Sequence, residues 1–387
     1  MTAVLAALSG WAALLAGAAA LAGGLYLWAV WHAVRRFARR APARPAAGRG
    51  QRPAVTVLKP LHGEDPELYD NLRSFCEQTY PAVQVVFGVR DPADPAAAIV
   101  RRLIADLPGA DLALVADPRI HGTNLKISNL INMMAVARHP VLVIADSDMR
   151  VTPDYLDQLV GALAAPGVGL VTCLYAGRPL AGLWSRLGAL FINHGFLPSV
   201  LVGDLVRPWP GCFGATMALH RETLRQIGGF ARFRDQLADD YRLGAAVIEA
   251  GFRVVLARYL VEDVLVEPGL GALLRHELRW ARTIRSIAPL DYAGTAVTYP
   301  VPFALLCAVL SGFALPGLMI LLVILAWRLI VVRMIDKEFA LPRLPLWLVP
   351  VRDVLSFGLL IASFCGETVE WRGQAFRLTE DGNLTSD

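Results

Sequence analysis

From Val4 to Val34 the chain is almost uninterrupted in apolar residues and rich in Ala and Leu. Crossing a bilayer takes about 20 such residues. In hydrocarbon a lone segment satisfies its backbone groups only as a helix. The run is longer than the apolar core of a secretory leader and lacks a basic start, which weighs against a cleaved signal. Directly after it come Arg35, Arg36, Arg39, Arg40, Arg44, Arg49 and Arg52. Basic residues at the end of a span mark the cytoplasmic side, and such a cluster also suits anionic lipid. Whatever follows must therefore fold while tethered to a membrane.

The composition agrees. The 387 residues are 55% hydrophobic, with a mean hydropathy of +0.48, too apolar for an ordinary soluble domain. A net charge of +4 gives no reason to expect a nucleic-acid partner. Cys76, Cys173, Cys212, Cys307 and Cys365 are scattered without CxxC spacing. That argues against a disulfide framework or zinc site and for small apolar residues in a reducing compartment.

After a basic, Pro/Ala/Gly-rich linker (35–53), the pattern changes at Ala54. Strands are predicted at 55–60, 84–89 and 112–115, with helices at 65–78, 94–107 and 124–137 between and after them. This alternation predicts a parallel α/β sheet covered on both faces. Further strands are expected at 168–175, 213–219, 254–256 and 260–266, and helices at 222–227 and from Leu237 to Ala250. The stretch 184–205 is apolar and helical in character but carries His194, Pro198 and Asp204. The α/β domain is placed at 54–272, and an amphipathic interfacial segment at 273–290, where Arg275, His276, Arg279, Arg282 and Arg285 interleave with apolar residues. A membrane region follows at 291–366, with spans expected at 297–315 and 318–335. A third apolar run at 344–364 is broken by Arg352 and Asp353, and the polar tail 367–387 is expected to fray.

Val141 to Ala145 reads as a buried central strand, and Asp146-Ser147-Asp148 follows at once. Alternate residues of an extended segment point the same way. The carboxyl edge of an open α/β sheet is where ligands bind. Two hard oxygen ligands there suit Mg²⁺ or Mn²⁺ shared with a diphosphate. Taken alone, the motif is equally a solvated turn.

Other features stand in order around it: a strand ending at Asp91, the acidic pair Asp239-Asp240 opening a helix, and His276-Glu277-Leu278-Arg279-Trp280. In this order they resemble the processive-type family 2 glycosyltransferases and, more closely, ceramide glucosyltransferases. That family has an Asp, an Asp-x-Asp, a third Asp and a (Gln/Arg)-x-x-Arg-Trp motif. The similarity runs from Val55 to Arg285 and includes Val57-Leu58-Lys59-Pro60-Leu61, Asn71-Leu72, Tyr80-Pro81 and Asp94-Pro95. The stretch Leu273 to Thr283 is similar to bacterial glycosyltransferases associated with hopanoid synthesis. The departure is His276 where the family has Gln or Arg; His need not carry charge at neutral pH.

The resemblance implies a GT-A-like nucleotide-sugar-binding domain with N- and C-terminal transmembrane helices, facing the cytoplasm from a bacterial inner membrane. It implies Asp148 as metal ligand, Asp146 on the metal or ribose, and Asp91 on the nucleotide. Asp240 would be the general base, with Asp239 supporting it. Arg279 would hold the diphosphate and Trp280 the acceptor or sugar, while His194 matches an active-site histidine and Lys126 would reach a phosphate. Read without the family, Asp91 is a turn residue, Asp239-Asp240 a helix cap, Arg279-Trp280 a headgroup anchor, and His194 and Lys126 ordinary structural side chains. The expected reaction is inverting transfer of a single glucose or N-acetylglucosamine from a UDP-sugar to ceramide or a hopanoid polyol. A processive polysaccharide synthase and a silent nucleotide-sugar-binding membrane protein are the alternatives.

Overall fold

The computed structural model describes residues 2–41, 52–206, 211–366, 368–371, 374–378 and 384–386. Most of the expected linker lies outside these residues. Strands β1 (Val55–Pro60), β2 (Val83–Val89), β3 (Asp111–Ala116), β4 (Val141–Ile144), β5 (Met149–Arg150), β6 (Val168–Pro179), β7 (Met217–His220) and β8 (Arg253–Leu265) form one sheet. Its order is β3-β2-β1-β4-β7-β6-β8-β5.

The strands of the alternating region are parallel, as predicted, and the later strands make the whole sheet mixed. Strands β3, β2, β1 and β4 are parallel, but β7 runs antiparallel to both β4 and β6. The reason lies in the segment between β6 and β7. It makes helices Gly182–Phe191 and Leu197–Val206 before the chain turns back into the sheet at β7. The chain re-enters at the edge it left, so β7 must run the other way. Strand β8 is parallel to β6 and delivers the chain to the same edge. The membrane-directed elements after β6 and β8 thus all leave from the carboxyl edge of β4. Strand β8 is also continuous where two short strands are expected; a register shift opposite Thr172 and Leu174 absorbs the irregularity.

The expected helices form with local causes in view. Asn124 accepts a hydrogen bond from Ile127 N (3.0 Å) and caps Leu125–Met133. Asp94 caps Pro95–Asp106, with Pro in the first turn. One face of the sheet is covered by Leu72, Phe75, Val100, Leu103, Tyr155 and Leu159. The other is covered by Ile127, Leu130, Met133, Leu243 and Val247.

Among the described residues, three helices are long and apolar enough to cross a membrane, Ser9–Ala38, Gly182–Val206 and Leu315–Glu338, or four if a pair bent by 63° (Pro289–Thr298 and Pro300–Leu310) counts as one. The run expected to span at 297–315 falls within this bent pair. Its helix stops at Leu310, where Gly312 and Phe313 turn the chain with φ of +62° and +58°. Eleven residues rise only roughly 16 Å. The last apolar run becomes Leu348–Ser363, packed against Leu270–Ile287. Arg35 pairs with Glu338 (3.5 Å) and Arg40 with Asp204 (2.6 Å), and Phe37 meets Phe339 edge-on. His194, halfway along Gly182–Val206, touches Asp336. Both the middle and the end of this segment therefore meet the last residues of the two long helices, and it lies obliquely across their ends. In the tail, expected to fray, Thr368–Trp371, Gln374–Leu378 and Leu384–Ser386 form a three-stranded antiparallel sheet.

Candidate active site

Strand β4 ends at Ile144, and Asp146 and Asp148 follow over the carboxyl edge. Three elements converge on Asp146. Lys126, in the first turn of Leu125–Met133, places Nζ 2.6 Å from Asp146 Oδ1 and 3.9 Å from Asp239 Oδ2. Lys59, fully buried in β1, donates to the Asp146 carbonyl and lies over the Phe75 ring at 3.8 Å. Gly214, in the loop entering β7, has no side chain because none fits: a Cβ there would lie 2.9 Å from Asp146 Oδ2 and 3.2 Å from Lys126 Nζ.

The same loop fixes Asp240. Gly214 N–H donates to Asp240 Oδ2 (2.9 Å), and Tyr241 N–H donates to Oδ1 (2.7 Å). Asp239 and Asp240 form the first turn of helix Asp239–Glu249, after Ala238 at the cap position, so neither is the N-cap. Asp239 is held by Asn124 Nδ2 at 3.2 Å, and its Oδ2 is buried without a hydrogen bond. Burial pushes the carboxyls of Asp239 (to about 6) and Asp240 above the ordinary range, against the pull of Lys126. Burial alone would lower the Lys126 amine, but Asp146 and Asp239 hold it protonated.

Asp148 stands on the other side of Asp146. Its Oδ1 is buried with no hydrogen-bond partner, and burial, with Asp146 and Asp65 nearby, raises it to about 6. Asp263 of β8 is buried and pushed well above the carboxylate range by burial and by Asp148 and Asp146. Burial lowers the Lys59 amine to about 7, although Asp148 and Asp146 oppose this. Ser147 Oγ donates to Asp65 (2.6 Å), which fixes the turn between the two aspartates. The Tyr175 phenol is raised well above its usual range by burial and by Asp263, Asp240, Asp148 and Asp146.

Asp146, Asp148, Lys126, Asp239 and Asp240 are thus gathered at one edge. The other expected residues stand apart. Asp91 is exposed on the same edge beyond β2, accepting from Ala93 N–H in a local turn. His194 lies in a π-helical turn, Ile192–Phe196, with Nε2 2.7 Å from Asp336. The neighbouring Asn193 exchanges two hydrogen bonds with the Gly177 backbone, an insertion of the kind that widens a helix. Arg279 and Trp280 sit on Leu270–Ile287, where Trp280 stacks on Phe191 and meets the His276 ring at a tilt. His276 Nδ1 lies 2.9 Å from Glu267 Oε1. Lys59, Gly214, Asp263 and Tyr175 also belong to the site, and of these only Lys59 falls in one of the short stretches that resemble the family. Apart from that, the sequence signal is a charged residue inside an apolar strand, clear at Lys59 and Asp263.

Among the described residues no three His, Cys, Asp or Glu side chains stand close enough to hold a metal by themselves. The donor set still fits a divalent cation that takes its remaining ligands from a diphosphate, because Asp148 Oδ1 is buried with no hydrogen-bond partner.

Compared with known families, residues 14–384 match Glycosyl transferase family 21. The chain belongs to this family. Among relatives, ceramide glucosyltransferase 1 of Caenorhabditis elegans is 26% identical over 208 residues, covering 54% of this chain and 44% of its own length. An N-acetylglucosaminyltransferase of Rhizobium leguminosarum bv. viciae is 24% identical over 270 residues, 66% of this chain and 61% of that one. The chain spans about half the length of the two C. elegans ceramide glucosyltransferases it matches, 44% and 52%. In three dimensions it resembles a mannosyltransferase from Pyrobaculum calidifontis solved with GDP-Man and Mn²⁺. That likeness covers 93% of this chain and 99% of that one, with a TM-score of 0.57 at 20% identity. This bears out the GT-A-like fold flanked by apolar helices.

Proposed function

We propose that this family 21 protein moves a single glucose or N-acetylglucosamine from a UDP-sugar to a hydroxyl of a membrane lipid, with inversion at the anomeric carbon. The observation that carries the reading is the meeting of Asp146, Lys126 and Asp240 around Gly214, at the sheet edge from which the apolar helices leave. Ceramide and a hopanoid polyol are the acceptors considered, and the bilayer face is the cytoplasmic side of a bacterial inner membrane.

In this reading the acceptor oxygen attacks the anomeric carbon as the bond to the diphosphate breaks. Its proton passes to Asp240. The two backbone N–H groups on Asp240 fix the direction of its carboxylate, and burial raises its basicity. Lys126 neutralises Asp146 and extends cationic charge toward the departing oxygens. Arg279 adds a planar fork for the diphosphate, Asp91 serves the nucleotide, and Trp280 and His194 line the lipid side. Mg²⁺ or Mn²⁺, when bound through Asp148 and Asp146, supplies Lewis-acid stabilisation of the leaving diphosphate.

The test is incubation of the purified full chain in nanodiscs with a panel of UDP-sugars and lipids, with mass spectrometry of the lipid fraction. A product heavier by one hexose or N-acetylhexosamine unit is expected. A polymer ladder, or nucleotide release with no glycolipid from any pair, would overturn the reading.

A further inference from the structure

Glu262 and Asp263 are neighbours on β8 and so point to opposite faces of the sheet. Asp263 joins the carboxylates of the site. Glu262 instead faces a cavity of about 750 Å³ on the side where Leu174 and Leu260 pack toward the long helices. Its charged lining is Arg178, Arg186, Arg343 and Glu262. Its apolar lining includes Leu260, Phe339 and Leu341.

Three arginines against one glutamate leave two positive charges in excess. Arg178 pairs with Glu262 at 2.8 Å. Among the described residues no hydrogen bond or ion pair engages Arg186 or Arg343, and both are exposed. The cavity wall Phe339–Pro345 follows directly on Leu315–Glu338, whose last residue pairs with Arg35 at the end of the N-terminal helix. The opening therefore sits where the apolar helices end, the depth at which a bilayer changes from hydrocarbon to headgroup. A wall that is apolar on one side and cationic on the other matches a molecule with the same division.

We propose that this cavity binds the phosphodiester headgroup of an anionic phospholipid, with Arg186 and Arg343 on the phosphate and the glycerol root along Phe339 and Leu341. Free phosphate shares the charge but has nothing to place on the apolar wall. A zwitterionic lipid brings its own cation and gains little from two unpaired arginines. Each arginine near an anionic surface is worth about 1 kcal/mol, roughly fivefold, so losing both predicts a drop in affinity of roughly 25-fold.

The experiment is native mass spectrometry of the detergent-solubilised full chain titrated with phosphatidylglycerol, phosphatidylcholine or inorganic phosphate. Wild type is expected to retain phosphatidylglycerol over phosphatidylcholine, and Arg186→Gln/Arg343→Gln to lose this retention while Arg186→Lys/Arg343→Lys keeps most of it. Should the double Gln variant not purify as a single species, Arg343→Gln alone, on an exposed loop, is expected to show roughly the fivefold loss. Equal retention by the Gln variants and wild type would overturn the proposal, as would equal retention of the two lipids. Displacement of the lipid by millimolar inorganic phosphate would also overturn it, by reducing the cavity to a bare anion site.

Discussion

Arg352 and Glu277 are joined by two hydrogen bonds, 2.8 and 2.5 Å long, with both side chains buried. Glu277 lies inside the His276–Trp280 motif, and Arg352 lies on the last apolar helix. At the next residue of that helix, Asp353 is gripped by Arg328 through two bonds of 2.9 Å. The charges that interrupt the last apolar run are thus satisfied internally, and they bolt the motif helix to the membrane region.

Breaking such a pair on one side leaves a charge buried alone. Glu277→Gln should destabilise the folded chain by about 3–5 kcal/mol. The double variant Glu277→Leu/Arg352→Leu should recover much of that loss, because both charges go together. Thermal unfolding in detergent of the single and double variants measures the difference.

Asp240→Asn keeps the shape of the carboxylate but removes the basic lone pair. Lipid glycosylation should fall by about 10² to 10⁴ while UDP binding persists. The acid limb of the wild-type rate should lie above the ordinary carboxylate range, because burial raises the Asp240 pKa and the base is lost as pH falls through it. Asp239→Asn should cost less. Parallel calorimetry and product assays on both variants, with a pH profile for wild type, check this.

Gly214→Ala adds one methyl group at the point where Asp146, Lys126 and Asp240 meet. Transfer should drop by at least tenfold, with little change in melting temperature because the clash is with movable side-chain ends. An active Gly214→Ala variant would mean that the three groups do not work as a unit.

Asp148→Asn separates metal from fold. With a raised folded pKa, the wild-type carboxyl costs nothing while protonated in both states, below about pH 4. It destabilises the metal-free chain increasingly as pH rises through about 6. The metal-free variant should therefore melt higher than metal-free wild type at pH 7.5, with the gap closing toward pH 4. Chelator should abolish wild-type transfer and added Mn²⁺ restore it, whereas the variant should stay inactive. Calorimetry with and without chelator reads both effects.

The gathering of carboxylates at the end of β4 was legible because its signals are local. An apolar run stopped by Asp-x-Asp, Asn124 before a helix, and Pro95 after Asp94 each constrain a few neighbouring residues. The reversal of β7 was not legible, since it depends on where the chain between 180 and 206 goes. The stop at Leu310 was missed because hydropathy continues through Phe313 and Ala314 while the backbone turns. Lys59 was visible as part of a shared stretch. That its amine is buried under Asp146 follows only from β1 lying beside β4. The ion pairs of Arg352 and Asp353 looked like an interruption because their partners are distant in sequence.

The oblique segment Gly182–Val206 has a mechanical consequence. Its middle and end are clamped to the two long helices through His194–Asp336 and Arg40–Asp204, and its start grows directly out of β6. When a bilayer is thicker or thinner than a helix, the helix adjusts by tilting, at a fraction of a kcal/mol per Å. Here the segment ties both long helices to β6, so a tilt of either is carried to the strand that holds Tyr175 at the carboxylate edge.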